Sequence, residues 1–284
     1  MAQDTKFRTY QALKILEFSL RLVPYNYRIH LGGQIMQRMI APRTGMKERV
    51  QENLKFIYPD MPEHQRDEVT GKVINNFGRF YFEFFSSKEF LRRSAHFKLS
   101  GEGLEEFRHA ASQNKPIIIV SGHFGNYEAV RSHLQLQGFQ LGGIYRPMAN
   151  PYFNKLYTRT MKNYGKPVFP TTLEGTKEIV KFVQAGNILA LLNDQYTQDG
   201  LEMPFLGAPA KTSPIFAKIA LKYGALVIPS FGIRQTDGLD FEVVMERSIQ
   251  HTDPVTMAIE FNERLGVHIN NHIDQWFWIH RRWK

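Results

Sequence analysis

At 284 residues with 43% hydrophobic content, the chain can bury the core of one large α/β domain. It has no cysteine, which excludes disulfides, a thiolate nucleophile and Cys-ligated zinc and fits a reducing compartment. Its formal charge of +9 calls for something anionic, whether nucleic acid, phospholipid headgroups, a phosphorylated glycolipid or an acidic carrier protein. The basic residues are spread along the chain without zinc-finger spacing, a basic region with heptads or an RNP-like motif, so no nucleic acid is expected. No apolar run approaches the ~18 residues that span a bilayer, and no signal-peptide pattern appears. The expected place is the cytoplasmic side, without a transmembrane helix.

Residues 1–95 read as an N-terminal helical region. Tyr10, Leu13, Leu16, Leu20 and Val23 recur at helical steps among Lys14, Glu17 and Arg21 until Pro24, a stripe suited either to a membrane interface or to the domain's own core. Ile29–Ile40, with Gly32-Gly33 inside it, is a candidate extension of a membrane-facing surface. Val50, Leu54 and Ile57 mark a short helix ended by Pro59, and Asp60-Met61-Pro62-Glu63 starts another. That helix carries Val69, Val73, Phe77, Phe80, Tyr81, Phe84 and Phe85, an aromatic stripe that reads as core or, in part, as the wall of an acyl-chain groove.

Residues 96–284 read as the α/β core, making one domain overall. Candidate strands at 97–99, 117–120, 142–146, 168–169, 188–192 and 226–231 alternate with amphipathic helical segments, which predicts a mainly parallel central sheet flanked by helices. Residues 239–245 are expected to add an antiparallel edge. Four β-branched residues, Ile117–Val120, lead into Ser121-Gly122, and Asn126 can cap the helix that follows. His123 then sits in a strand-to-helix turn. Glu128 falls in the first helical turn, where a carboxylate is favoured and can reach back to orient the imidazole. Gly122 and Gly125 leave room for a substrate, and with no G-x-S-x-G elbow the hydroxyl activated by His123 is expected to be the substrate's own.

Arg146 should emerge at the carboxyl end of its strand, where open α/β sheets bind ligands. Asn150-Pro151 caps a helix whose Lys155, Arg159 and Lys162 form a basic face, either solvated or phosphate-binding, with Arg146 and Arg159 the preferred contacts. Asn193-Asp194-Gln195 closes another strand and is expected to hold a sugar hydroxyl, to buttress the His123 loop, or only to end the strand. Pro204–Lys211 reads as a broken loop. His268 and His272 share a helix face without a third ligand, so no metal is expected. Trp276–Lys284 mixes indoles and cations, suiting a membrane boundary or a fastened terminus.

His123-Phe124-Gly125-Asn126-Tyr127-Glu128 resembles the H-x4-[D/E] signature of glycerolipid acyltransferases. With Tyr145-Arg146-Pro147, Asn150-Pro151, Asn193-Asp194-Gln195, Pro204–Gly207, Thr212 and the ending Trp278–Lys284, most of the chain is similar to the lipid A biosynthesis (secondary, late) acyltransferases of the lauroyl/myristoyl type. The resemblance implies a His123–Glu128 catalytic dyad and substrate contacts among Gly125, Asn126, Arg146, Arg159, Asn193, Asp194 and Gln195. It also implies acyl carrier protein as donor, or sometimes a coenzyme A thioester, with no further cofactor. The acceptor would be a lipid A precursor at the inner membrane. Unlike many members, the chain does not start with a hydrophobic membrane helix. Another glycolipid or a lysophospholipid as acceptor, and a non-catalytic anionic-lipid-binding module, are the alternatives.

Overall fold

A computed structural model describes Phe7, Tyr10, Gln11 and residues 22–284, so most of the stripe from Tyr10 to Val23 lies outside the described residues. At the centre is a seven-stranded sheet in the order β1-β9-β8-β2-β5-β3-β4. Its strands are β1 (Lys98–Ser100), β2 (Ile117–Ser121), β3 (Leu141–Tyr145), β4 (Val168–Pro170), β5 (Ile188–Leu192), β8 (Leu226–Arg234) and β9 (Phe241–Met245). From β8 to β4 the strands run parallel. The antiparallel strand expected near 239–245 is β9, but it is an inner strand, because β1 pairs along its far side.

All five residues of β2 are buried. Ile118 and Val120 enter one core with Leu189, Phe231 and Trp278, while Ile117 and Ile119 enter the other with Phe107, Leu134 and Phe241. Burial on both faces is what makes such a strand apolar at every position. The flanking helices of this part are α5 (Leu104–Ser112), α6 (Glu128–Leu136), α7 (Pro151–Met161), α8 (Leu173–Gln184), α9 (Ile215–Tyr223) and α10 (Pro254–Asn271).

The N-terminal region is helical, with α1 (Tyr25–Ile35), α2 (Met46–Ile57), α3 (Glu63–Phe85) and α4 (Ser87–Arg93). A Cβ on Gly32 would lie 2.4 Å from the Phe82 ring, and one on Gly78 would lie 2.7 Å from Gly32 O, so these glycines let α1 and α3 approach closely. The Ile29–Ile40 stretch is therefore divided. Ile29, Gly32, Gly33 and Met36 are buried, whereas Tyr27, Leu31, Met39 and Ile40 are exposed.

Pro204–Lys211 is not the expected loop. β6 (Leu201–Phe205) and β7 (Ala208–Thr212) form an antiparallel hairpin whose turn residues Leu206 and Gly207 both have positive φ, 51° and 78°. Such a turn matches strand twist, and Gly207 adopts it without a Cβ clash. The hairpin supports the C-terminal segment, with Phe205 packed on Trp276 and Trp283. Trp276, Trp278 and Arg282 are buried, and Arg282 donates to Lys211 O and Thr212 Oγ1. Asn53 Nδ2 donates to the carbonyls of Trp278 and His280 at 2.8 and 2.9 Å. Of the two readings of this segment, the structure realises the fastened terminus.

Candidate active site

The site is assembled at the carboxyl ends of adjacent parallel strands. After β2, the chain turns through Gly122–Tyr127 into α6. Gly125 takes φ 54° there, and a Cβ on it would sit 1.9 Å from Gly232 O, so only glycine lets the turn close on β8. Gly125 N donates to Gln275 O, and Asn126 N donates to Gly232 O, which holds the turn from two sides.

His123 is oriented by Asp194. Its Nδ1 lies 2.7 Å from Asp194 Oδ1, and its backbone N donates to Asp194 Oδ2 at 2.7 Å. Trp276 Nε1 donates to the same Oδ2 at 2.8 Å. Burial would raise the Asp194 carboxyl, but the charge of His123 and the hydrogen bonds from His123 and Trp276 outweigh it and hold it below the usual carboxylate range. An ionised Asp194 fixes the proton of the neutral imidazole on Nδ1 and leaves Nε2 as the basic atom. Gln195 Nε2 stands 3.3 Å from that Nε2.

Glu128 does not perform the orienting role expected of it. Its carboxylate accepts from Arg131 Nη1 at 3.2 and 2.8 Å, and Arg131 Nη2 donates to Gly165 O. The guanidinium occupies space left by Gly143, where a Cβ would meet Arg131 Cζ at 2.9 Å. Both side chains are buried; burial raises the Glu128 carboxyl, opposed by the charge and hydrogen bonds of Arg131. A charge so buried is spent on its nearest counter-charge, one helical turn away.

The other expected contacts fall in different places. Asn126 is buried, with Oδ1 accepting from Glu128 N and Nδ2 donating to Glu83, so its amide serves the protein and not a ligand. Asn193 is buried; its backbone N donates to Ser121 O, and its side-chain Nδ2 has no hydrogen-bond partner among the described residues. Asp194 buttresses the His123 turn, one of the roles expected of its segment, through His123 and Trp276, whereas Gln195 and Gly125 line the cleft described next. Arg146 is exposed and follows β3, whose pairing with β5 puts both carboxyl ends on one edge. Arg159 is exposed on α7 and is not among the residues lining the cleft. His268 is taken up by Glu246, 2.8 Å from its Nε2, and among the described residues no group of three or more potential metal ligands occurs.

A cleft of about 220 Å³ opens beside His123. One wall is α3, through Val73, Phe77 and Phe80; Tyr127, Trp276 and Phe277 continue the apolar lining, and Asn76 and Asp274 make a polar end. The aromatic stripe thus divides, since Val69 and Phe84 are core while part of it faces the cleft. The His123 ring meets Tyr127 edge-on at 5.4 Å and Phe277 at 5.8 Å. Sequence reasoning missed Trp276 as a donor to Asp194, because nothing local ties an indole in a C-terminal segment to a carboxylate 82 residues earlier.

An imidazole held by a buried carboxylate, with its other ring nitrogen beside an apolar cleft at the carboxyl ends of parallel strands, has the geometry that general-base chemistry needs. The family model of bacterial lipid A biosynthesis acyltransferases matches residues 5–284, and the chain belongs to that family. Relatives include a lipid A biosynthesis acyltransferase of Haemophilus influenzae, 25% identical over 92% of this chain and 82% of its own. A lipid A biosynthesis palmitoleoyltransferase of Escherichia coli is 24% identical over 92% and 86%. The protein is thus an acyltransferase of lipid A biosynthesis. Among the described residues no helix is long and apolar enough to cross a membrane.

Proposed function

We propose that the protein moves a fatty acyl chain from an acyl carrier protein thioester to a hydroxyl of a lipid A precursor, with His123 as general base and Asp194 as its orienter. The observation that carries this reading is the 2.7 Å contact of His123 Nδ1 with Asp194, which leaves Nε2, 3.3 Å from Gln195 Nε2, available to a substrate in the cleft. The acceptor hydroxyl displaces Gln195 and gives its proton to Nε2 as its oxygen attacks the thioester carbonyl. Collapse of the tetrahedral intermediate expels the thiolate, which takes the proton back from the imidazolium. Asp194 stabilises that cation in the interval.

The backbone amides of Gly125, Asn126 and Glu128 already have acceptors, which favours a cation for the oxyanion. Arg146, on the same sheet edge, is the candidate. An acidic carrier protein suits a chain of formal charge +9. We place the protein at the cytoplasmic face of the inner membrane, meeting lipid through Tyr27, Leu31, Met39 and Ile40. Those residues are exposed, and no Asp or Glu occurs between Leu22 and Lys47.

The test is incubation of the purified protein with mixed acyl carrier protein thioesters, coenzyme A thioesters, a lipid A precursor and a lysophospholipid, followed by weighing the products. One added acyl chain on the lipid A precursor, drawn from the carrier protein and lost in His123→Ala, is expected. Turnover retained by folded His123→Ala would remove the imidazole from the mechanism.

A further inference from the structure

We infer that Glu83, on the helix that walls the cleft, is a positioning residue for the His123 turn, acting through Asn126. The inference rests on the acyltransferase reading above. Glu83 is fully buried and accepts from Arg234 Nη1 and Nη2 at 2.5 and 2.9 Å. Its Oε2 also accepts from Asn126 Nδ2 at 2.9 Å. Asn126 in turn joins the turn to α6, because its Oδ1 accepts from Glu128 N. Arg234 closes a second path, since its N and O bond Gln275, whose own carbonyl accepts from Gly125 N.

Stability alone gives a weak reason for this arrangement. A buried ion pair is expensive to desolvate, and apolar residues of similar volume often serve a core as well or better. What an apolar pair lacks is a directed acceptor. Glu83 supplies one at the residue three positions after His123, from the helix whose Val73, Phe77 and Phe80 face the cleft. The network therefore ties the cleft wall and the turn carrying the base into one frame. A displacement of about 1 Å at reacting atoms can cost on the order of 10²-fold in rate.

The test uses Asn126→Asp alone and together with Glu83→Gln. The single change keeps an acceptor for Glu128 N but sets a carboxylate against Glu83 Oε2; the double change restores a donor–acceptor pair between the two side chains and keeps one buried negative charge, while Arg234 Nη2 loses its Glu83 acceptor. With parental enzyme active on acyl carrier protein thioester and lipid A precursor, Asn126→Asp is expected to lower kcat by about 10²-fold with KM changed less than about threefold. The double variant should recover part of that loss, because the link between α3 and the turn is remade although Arg234 keeps only one of its two bonds to residue 83. Thermal melts of both variants separate loss of rate from loss of folded protein. A single variant that is folded with parental kcat, a loss that only tracks the unfolded fraction, or a double variant no better than the single one would each overturn the proposal. Absence of any acyl transfer by the parent would instead sink the acyltransferase reading on which it stands.

Discussion

His123 and Asp194 each stand two residues beyond Ser121 and Leu192, which are paired in register across β2 and β5. Two parallel strands that end level with each other deliver their following turns to the same place, so sheet register alone brings a residue 71 positions away to the imidazole. The acid five residues after the histidine is closer in sequence, but Arg131 engages it.

That relationship separates two carboxylates by experiment. Asp194→Asn is expected to lower kcat by up to about 10⁴-fold through the wrong imidazole tautomer while the fold persists. Glu128→Gln leaves a buried guanidinium without its partner, a loss on the order of 3–5 kcal/mol in stability, with the acid limb of kcat/KM kept in the molecules that fold. Steady-state rates across pH, alongside urea unfolding, distinguish them. An acid limb that disappears in Glu128→Gln but survives in Asp194→Asn would reverse the assignment.

Trp276→Phe keeps one aromatic ring but removes the pyrrole ring and with it one donor to Asp194 Oδ2. A hydrogen bond to a charged group contributes about 1.5–3 kcal/mol, so a fall in kcat/KM of roughly tenfold or more is expected. The carboxyl loses one of the bonds that hold it down and should titrate higher, readable as an upward move of its carbon chemical shift midpoint.

Val73→Phe pushes a ring into the cleft beside His123. If the cleft takes the acyl chain, preference among mixed thioesters should move toward shorter chains, since one methylene in an apolar pocket is worth about 10–200-fold in discrimination. Product masses give the ratio directly, and an unchanged distribution would place the chain elsewhere.

His280 accepts from Tyr196 N at 2.9 Å, and burial first, then the charges of His123, Arg282 and Lys284, lower its pKa from 6.5 to about 4 against the pull of Asp194. The unfolded chain binds this proton at the higher pH, so the contribution of His280 to folding is fully present above 6.5 and is lost as pH falls through about 4. His280→Gln, which keeps an acceptor for Tyr196, should flatten the pH dependence of unfolding free energy within that window. Denaturant titrations at several pH values check the slope.

Arg38 and Arg43 are exposed on either side of Met39 and Ile40, and binding to vesicles rich in phosphatidylglycerol should weaken in Arg38→Gln/Arg43→Gln by about 30-fold, at about 1 kcal/mol per basic residue near an anionic surface. Sedimentation with vesicles measures it. Equal binding by parent and variant would put the lipid-facing surface away from this end of α1.

Residue order alone determined the alternation of strands and helices, the turn carrying His123 and the strand-end position of Asn193–Gln195. Each of these is written in local periodicity and turn chemistry, which act over a few residues. The aromatic stripe of α3 was equally visible, but which of its members are core and which face the cleft depends on what packs against each side. Only the tertiary structure decided that Asp194 and Trp276 serve His123, that Glu128 serves Arg131, and that Trp276 and Trp278 are buried. Partner choice of that kind depends on strand order and register, and on which buried charges must be neutralised together, neither of which spacing along the chain encodes.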